Sequence, residues 1–293
     1  MKLVRGVYAA AATLRQEDGA LDETAFRGQL EFLMERGIQG FAINGATGEY
    51  CLTTPAELER MVFIAAETTA GHAAFVCGVG SAGVRGCLAN ARIAADGGAA
   101  GILLPAPHFF PYQQDDVEVF CRQVAEQTPL PVLLYNLPQF TSGFQPETVT
   151  RLIAECPAIV GIKDSSGSLA TLRALSVPGA EACRIVGNDN ALVEALRERV
   201  CDAVISGVAC VLPEVLLEVW ERGPGFDEAC RLLGEFIQAT ADFPVPWALK
   251  WIGESRGIAA ARFAQPLSER RERQGRELQS WFEGWRQDAG LRA

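Results

Sequence analysis

The chain has 293 residues, of which 49% are hydrophobic, and a formal charge of −10. A surface this acidic repels nucleic acid and anionic membranes, although a local pocket can still bind an acidic substrate. No apolar run reaches the length of a membrane span, and the N-terminus lacks the layout of a signal peptide. We therefore expect no partnership with nucleic acid or with a membrane.

The cysteines and histidines of the chain limit the metal sites and catalytic triads that it can form. The nine cysteines are scattered without a CxxC pair, and the only histidines are His72 and His108. This pattern argues against a disulfide framework, a zinc site and a Ser-His-Asp triad. We expect no metal site and a reducing, cytoplasmic environment.

Short apolar runs alternate with longer amphipathic runs along the chain. The predicted strands are 4–12, 40–44, 74–79, 101–105, 132–136, 159–163, 184–187 and 203–206, and the predicted helices between them are 22–36, 55–70, 82–96, 114–127, 146–155, 168–176, 190–199 and 213–222. Eight strand–helix units without a break in composition predict a (β/α)8 TIM barrel. A doubly wound sheet is the alternative, but its GxGxxG fingerprint does not follow the first strand.

Three more helical stretches follow the eighth unit, at about 227–240, 245–256 and 268–286. We interpret residues 1–224 as the barrel and residues 225–293 as a helical extension packed on it. The last stretch begins with the charged run 269–273, which is typical of a solvated helix face.

The carboxyl ends of the predicted strands collect residues suited to amine catalysis. Strand six ends at Lys163, strand five contains Tyr135, and strand two runs into the turn 45–49. A lysine among apolar neighbours loses solvation, which favours the free amine that attacks a carbonyl to form a Schiff base. A phenol one strand away can transfer the protons, and the amides and hydroxyl of a Gly-Ala-Thr-Gly turn can bind a carboxylate.

Structural explanations remain open for each of these residues. A lysine at a strand end can reach water, a buried tyrosine is often a core residue, and a glycine-rich turn is often only a turn. Glu49 is either a second acid–base group or an anchor for its loop.

Three motifs together resemble those of the class I pyruvate lyases and aldolases that include dihydrodipicolinate synthase and N-acetylneuraminate lyase. They are Gly-Ala-Thr-Gly-Glu at 45–49, Tyr-Asn-Leu-Pro at 135–138 and Gly-Ile-Lys-Asp-Ser-Ser-Gly at 161–167, and the likeness covers roughly residues 4–225.

The resemblance implies roles for individual residues. Lys163 would form the Schiff base with a 2-oxo acid, and Tyr135 would shuttle protons. Carboxylate binding would fall to Thr47 with its neighbours Ala46 and Gly48, and Gly187 and Ile205 match positions that line the pocket. It also implies no metal or organic cofactor, and a homotetramer built from dimers.

Three departures from the family pattern bear on the substrate. Ala46 stands where the family usually has a threonine that links the catalytic tyrosine into a proton relay, and Phe109 aligns with a further relay tyrosine. Phe140 replaces the arginine with which dihydrodipicolinate synthases bind the carboxylate of their aldehyde. An aromatic side chain cannot replace a bidentate cation, so the resemblance favours a different substrate.

We expect a Schiff-base lyase that acts on pyruvate and an aldehyde, or on a 2-oxo-3-deoxy sugar acid. The alternatives are a dehydratase of the same acids, a 4-hydroxy-tetrahydrodipicolinate synthase, and a non-catalytic member of the family.

Overall fold

The computed structural model of the chain describes residues 3–179 and 181–291. Eight parallel strands close into a barrel in chain order: β1 (Gly6–Ala10), β2 (Gly40–Ile43), β3 (Ala74–Gly78), β4 (Gly101–Pro105), β5 (Val132–Asn136), β6 (Ile159–Asp164), β7 (Cys183–Val186) and β8 (Ala203–Ser206). The barrel closes where Val7 of β1 pairs with Val204 of β8. The predicted (β/α)8 barrel is confirmed.

A helix follows each strand, and three more helices complete the described chain. The first eight are α1 (Glu23–Glu35), α2 (Pro55–Thr69), α3 (Val84–Asp96), α4 (Gln114–Gln127), α5 (Pro146–Glu155), α6 (Ala170–Ala174), α7 (Leu192–Glu198) and α8 (Pro213–Glu221). The last three are α9 (Phe226–Thr240), α10 (Val245–Ser255) and α11 (Glu269–Asp288). In the described part of the chain, no helix is both long enough and apolar enough to cross a bilayer.

The strands are buried on both faces, which explains their nearly continuous apolar sequences. Residues that point into the barrel, such as Val76, Leu103 and Ile205, form a compact inner core. A larger core lies between the strands and the surrounding helices, where Phe41 and Phe26 are almost fully buried. Two apolar layers therefore fix the strand ends that carry the candidate site.

Several element boundaries differ from the sequence prediction. Strand β1 ends at Ala10 rather than at residue 12, because Ala12 N–H donates to Gln29 Oε1 of α1 at 2.9 Å instead of continuing the ladder. Helix α6 is limited to five residues, and a 3-10 turn, Asp189–Ala191, occupies the first positions of the helix predicted at 190–199. The centres of these elements lie where the sequence places them.

Local turn chemistry explains how the helices begin and end. The hydroxyl of Thr54 accepts from Glu57 N–H, while the Glu57 carboxylate accepts from Thr54 N–H, so a capping box starts α2. Gly37 and Gly71 follow helix ends with φ of 90° and 75°, a conformation that costs glycine little. These caps confirm the predicted helix ends.

Helix α9 packs against α8, α10 packs against the 3-10 turn Val208–Cys210 that follows β8, and α11 packs against α10. Gly275 of α11 lies under the ring of Trp251 from α10, where a Cβ would be 2.2 Å from a ring carbon, and Leu278 and Phe282 of α11 are buried. The charged run 269–273 is mostly exposed, as predicted. Residues of α9 and α10 also reach the carboxyl ends of the strands, where they form part of a cavity.

Candidate active site

Lys163 and Tyr135 lie side by side at the carboxyl ends of β6 and β5. The two residues are register partners in neighbouring strands, and their side chains are only 3% and 2% exposed. Lys163 Nζ donates a hydrogen bond to Tyr135 Oη at 3.0 Å and lies 4.3 Å from the centre of the ring. An amine and a phenol are thus held within proton-transfer distance and away from bulk water.

Gly187 makes room for the lysine side chain. A Cβ at this position would lie 2.8 Å from Lys163 Cε and 2.2 Å from Ser165 Oγ, so the space is already filled. Gly187 and Ile205 both line the cavity around Lys163, and Ile205 is fully buried beneath it. These two residues support the amine from the β7 and β8 side.

The turn 45–48 follows β2 and lies at the same end of the barrel as Gly187. Ala46 and Thr47 line the cavity, and Thr47 is 5% exposed. Gly48 lies behind them: its carbonyl accepts from Thr13 Oγ1 at 2.6 Å, and a Cβ there would be 2.9 Å from Asn44 Cα. The turn is compact, and its side toward the cavity offers the Thr47 hydroxyl.

A cavity of about 390 Å³ connects these residues with the C-terminal helices. The outer wall is mostly apolar and comes from α9, α10 and the segment between them: Phe236, Thr240, Phe243, Val245, Ala248 and Leu249. A cavity of this size with a few convergent polar groups is typical of a small-molecule site. The C-terminal helices therefore complete the cavity that the barrel begins.

The two phenylalanines singled out in the sequence lie in different places. Phe140 lines the cavity and is 57% exposed, so an uncharged ring faces the outer part of the site. Phe109 lies outside the cavity lining, is 84% exposed and has a φ of 86°. Its ring packs edge-on against Phe110 with centroids 4.9 Å apart. Ala46 lines the cavity with a methyl group.

Sequence reasoning did not assign a role to Asp189, which also lines the cavity. Its Oδ2 accepts from Val208 N–H at 3.4 Å, while its buried Oδ1 and the buried Ser165 Oγ have no hydrogen-bond partner within the described residues. Burial raises the pKa of Asp189, and hydrogen bonding by Ser206 and by the Val208 N–H, together with the charge of Lys163, partly opposes this change. The sequence could have indicated this role, because Asp189 follows the seventh predicted strand closely, and functional groups of a barrel lie at the carboxyl ends of its strands.

Glu49 points away from the cavity lining. It is 6% exposed and forms an ion pair with Lys250 of α10, which is 3% exposed. Of the two roles left open by the sequence, this geometry supports the anchor for the loop.

Comparison with known proteins identifies the family of the chain. The profile of the Dihydrodipicolinate synthetase family matches residues 3–283. The chain belongs to this family. Its lyases are class I enzymes that depend on pyruvate and form a Schiff base, so the expected enzyme class is confirmed.

Individual relatives are moderately similar. A 4-hydroxy-tetrahydrodipicolinate synthase of Stenotrophomonas maltophilia is 33% identical over 224 residues, which are 76% of this chain and 75% of the relative. A 4-hydroxy-tetrahydrodipicolinate synthase 1 of Streptomyces coelicolor is 36% identical over 210 residues, covering 70% and 68% of the two chains.

Solved structures share the fold over nearly the whole chain. The prophage protein YagE of E. coli, determined in complex with pyruvate, superposes with a TM-score of 0.88 at 24% identity and covers 97% of this chain and 99% of its own. An N-acetylneuraminate lyase of Mycoplasma synoviae gives a TM-score of 0.84 at 18% identity, with coverages of 97% and 98%.

Proposed function

We propose that this chain cleaves a 4-hydroxy-2-oxo acid, such as a 2-oxo-3-deoxy sugar acid, to pyruvate and an aldehyde, and can catalyse the reverse addition. The observation that carries the proposal is the hydrogen bond of 3.0 Å between the buried Lys163 amine and Tyr135 Oη inside the cavity. Membership of a family of pyruvate-dependent lyases supports it.

The reaction begins when the unprotonated amine of Lys163 attacks C2 of the substrate. Loss of water gives an iminium ion, which accepts electrons as the C3–C4 bond breaks. As water leaves, the Tyr135 phenol gives its proton to the departing hydroxyl, and the resulting phenolate accepts the proton of the C4 hydroxyl, directly or through a substrate hydroxyl, as the aldehyde leaves. Protonation of the remaining enamine at C3 and hydrolysis of the iminium release pyruvate and regenerate the amine.

The turn 45–48 is the proposed site for the substrate carboxylate. Thr47 supplies a hydroxyl that lines the cavity, and backbone amides of Ala46 to Gly48 belong to the same compact turn. Oriented amides in a tight turn favour an anion without requiring a formal charge. In this proposal Gly187 and Ile205 hold the amine between the carboxylate and Tyr135.

The outer part of the cavity argues against a second carboxylate on the substrate. Phe140 supplies a ring there, and among the described residues Lys163 is the only cation that lines the cavity. A distal carboxylate would find no cation in this outer part of the cavity to pair with. This disfavours the reaction for which the 4-hydroxy-tetrahydrodipicolinate synthase relatives are named.

A Schiff-base dehydratase is the second candidate, and Asp189 is the observation that favours it. Burial raises the pKa of this carboxyl, which favours its protonated form in the cavity. A protonated carboxyl can donate to a leaving hydroxyl, so that water departs instead of an aldehyde. Analysis of the products from one substrate separates the two reactions.

We also propose a cytoplasmic homotetramer with a barrel unit at 1–224 and a helical extension at 225–293. Nine free cysteines fit a reducing compartment. Phe109 and Phe110 are 84% and 60% exposed and adjacent, and such an apolar patch is suited to subunit contact. Sedimentation analysis of the wild type and of Phe109→Ser tests the assembly.

Borohydride trapping tests the central proposal. Pyruvate with borohydride is expected to add a stable mass to the wild type, located on Lys163, and none to Lys163→Ala. A wild type that gains no mass would reject the enzymatic reactions together and leave the non-catalytic alternative. Release of pyruvate from a panel of 2-oxo-3-deoxy acids then identifies the substrate.

A further inference from the structure

A buried ion pair joins the carboxylate-binding turn to the C-terminal helices. Glu49 follows the turn 45–48 directly, and its carboxylate pairs with the ammonium group of Lys250, 201 residues later in the sequence. The two side chains are 6% and 1% exposed. Neither residue lines the cavity, so the pair acts from behind the site.

The backbone conformation of Glu49 is unfavourable by itself and is held by contacts with neighbouring residues. Glu49 has a φ of 53° and a ψ of 43°, a left-handed conformation that is unfavourable for a residue with a Cβ. Its N–H donates to Ala46 O at 3.0 Å, and Thr13 holds the neighbouring Gly48 carbonyl at 2.6 Å. The shape of the turn is therefore coupled directly to the position of Glu49.

The ammonium group of Lys250 is stabilised by the carboxylate of Glu49. Burial lowers the pKa of Lys250, while Glu49 opposes the change by contact and by charge. The nearby Arg15 has its own partner, because its Nη1 donates to Glu57 at 2.7 Å. A buried charge without a partner is costly, so Glu49 and Lys250 hold each other in place.

The helix that carries Lys250 also forms part of the cavity. Ala248 and Leu249, its neighbours in α10, line the cavity wall. Leu249 Cδ1 and Thr47 Oγ1 each lie 3.3 Å from the position that a Cβ would take on Gly207. Helix α10 therefore packs beside Thr47 on the cavity side and anchors the end of the same turn from behind.

We propose that Lys250 is a positioning residue, which holds Glu49 and thereby aims the Thr47 turn at the carboxylate of the 2-oxo acid. This inference rests on the proposed function and assigns part of substrate binding to the C-terminal extension. Lys250 does not touch the reacting atoms. Its effect is on the affinity for the carboxylate, with little effect on the chemistry of Lys163.

The test measures borohydride trapping of the full chain against pyruvate concentration. In Lys250→Met, the half-saturating pyruvate concentration is expected to rise by about 10-fold or more, while the trapping rate at saturating pyruvate stays within about threefold of the wild type. Acetone lacks the carboxylate. Its trapping is expected to be equally weak in both proteins, so the preference for pyruvate over acetone falls about 10-fold.

Arg256→Met is the matched control. Arg256, the C-cap of α10, also joins this helix to the barrel through an ion pair with Glu214 of α8 at 2.6 Å. The Arg256 side chain is 1% exposed and that of Glu214 is 33% exposed, and neither residue lines the cavity. For Arg256→Met, the half-saturating pyruvate concentration is expected to stay within about twofold of the wild type. An equal rise in both variants would mean that general docking of the extension is responsible, and would overturn the proposal.

A second variant covers the case in which Lys250→Met does not fold, as judged by circular dichroism. The double variant Glu49→Gln/Lys250→Met removes both charges and leaves neither one buried alone. The same 10-fold rise is expected, because the anchor is lost. An unchanged half-saturating concentration in a folded variant overturns this inference, whereas a wild type without any adduct rejects the proposed function instead.

Discussion

Gly187→Ala tests whether the position of the Lys163 amine limits catalysis. The new Cβ would lie 2.8 Å from Lys163 Cε, which is about 0.6 Å inside the 3.4 Å at which ordinary contact begins, and 2.2 Å from Ser165 Oγ. Ser165 Oγ has no hydrogen-bond partner within the described chain and can rotate away. The lysine side chain passes between Gly187 and Tyr135, so we expect it to shift by about half an ångström or more.

Such a shift acts on a hydrogen bond of 3.0 Å between Lys163 Nζ and Tyr135 Oη. A displacement of about 1 Å in a catalytic group can cost about 10²-fold in rate. We expect kcat/KM for cleavage of a 4-hydroxy-2-oxo acid to fall by about 10- to 100-fold. Overpacking of one methyl group also costs about 1–3 kcal/mol of folding free energy, which denaturant unfolding measures.

Gly234→Ala is the matched control for this substitution. Gly234 lies inside helix α9, and a Cβ there meets no atom within 4 Å. Alanine in a helix is expected to stabilise the protein by about 0.5–1 kcal/mol and to leave kcat/KM unchanged. If Gly187→Ala folds and forms the pyruvate adduct at the wild-type rate, the claim that this glycine positions the amine is refuted.

Three further predictions concern the cavity. Tyr135→Phe is expected to slow turnover by about 10²–10⁴-fold while the protein still folds, and near-normal turnover would assign the proton transfer to another group. Phe140→Arg is expected to raise kcat/KM by about 10-fold or more for aldehydes with a carboxylate relative to neutral ones, and an unchanged ratio would place residue 140 away from the substrate. Burial raises the pKa of Asp189, so this carboxyl lowers the folding stability of the wild type as pH rises from about 4 through the raised pKa. The melting temperature of Asp189→Asn minus that of the wild type should therefore increase from about pH 4 upward. A difference that stays constant with pH would contradict this prediction.

The barrel and the inner part of the site follow from local sequence patterns. Each strand is a short apolar run buried on both faces, and the carboxyl ends of parallel strands meet at one face. Lys163 and Tyr135 therefore had to lie near each other once the order of the strands was known. In the structure they are register partners in neighbouring strands, with a hydrogen bond between them.

The outer part of the site could not be predicted in this way. Phe236 and Phe243 form part of a cavity wall, yet their sequence pattern only shows an amphipathic helix and the segment after it. The partner of Glu49 is 201 residues away, and no spacing rule connects two residues at that separation. The orientation of helices on a barrel depends on packing across many side chains, which periodicity does not encode.

The two buried lysines differ in the group that each amine contacts, and this difference determines which of them can act as a nucleophile. The sequence contains three lysines among 26 basic residues, and Lys163 and Lys250 are each 3% exposed. Lys250 faces a carboxylate, so loss of its proton would leave a buried anion without a counter-ion.

Lys163 instead donates its hydrogen bond to the phenol of Tyr135, and among the described residues it forms no ion pair within 4 Å. Its amine is therefore not held by a carboxylate and is available to attack a carbonyl carbon. Arginine supplies nearly every other cation of this chain and is effectively always protonated, so it could not replace Lys163 in this role. The same reasoning predicts that Lys163→Arg folds but forms no adduct, whereas a lysine held only for its charge would tolerate the change.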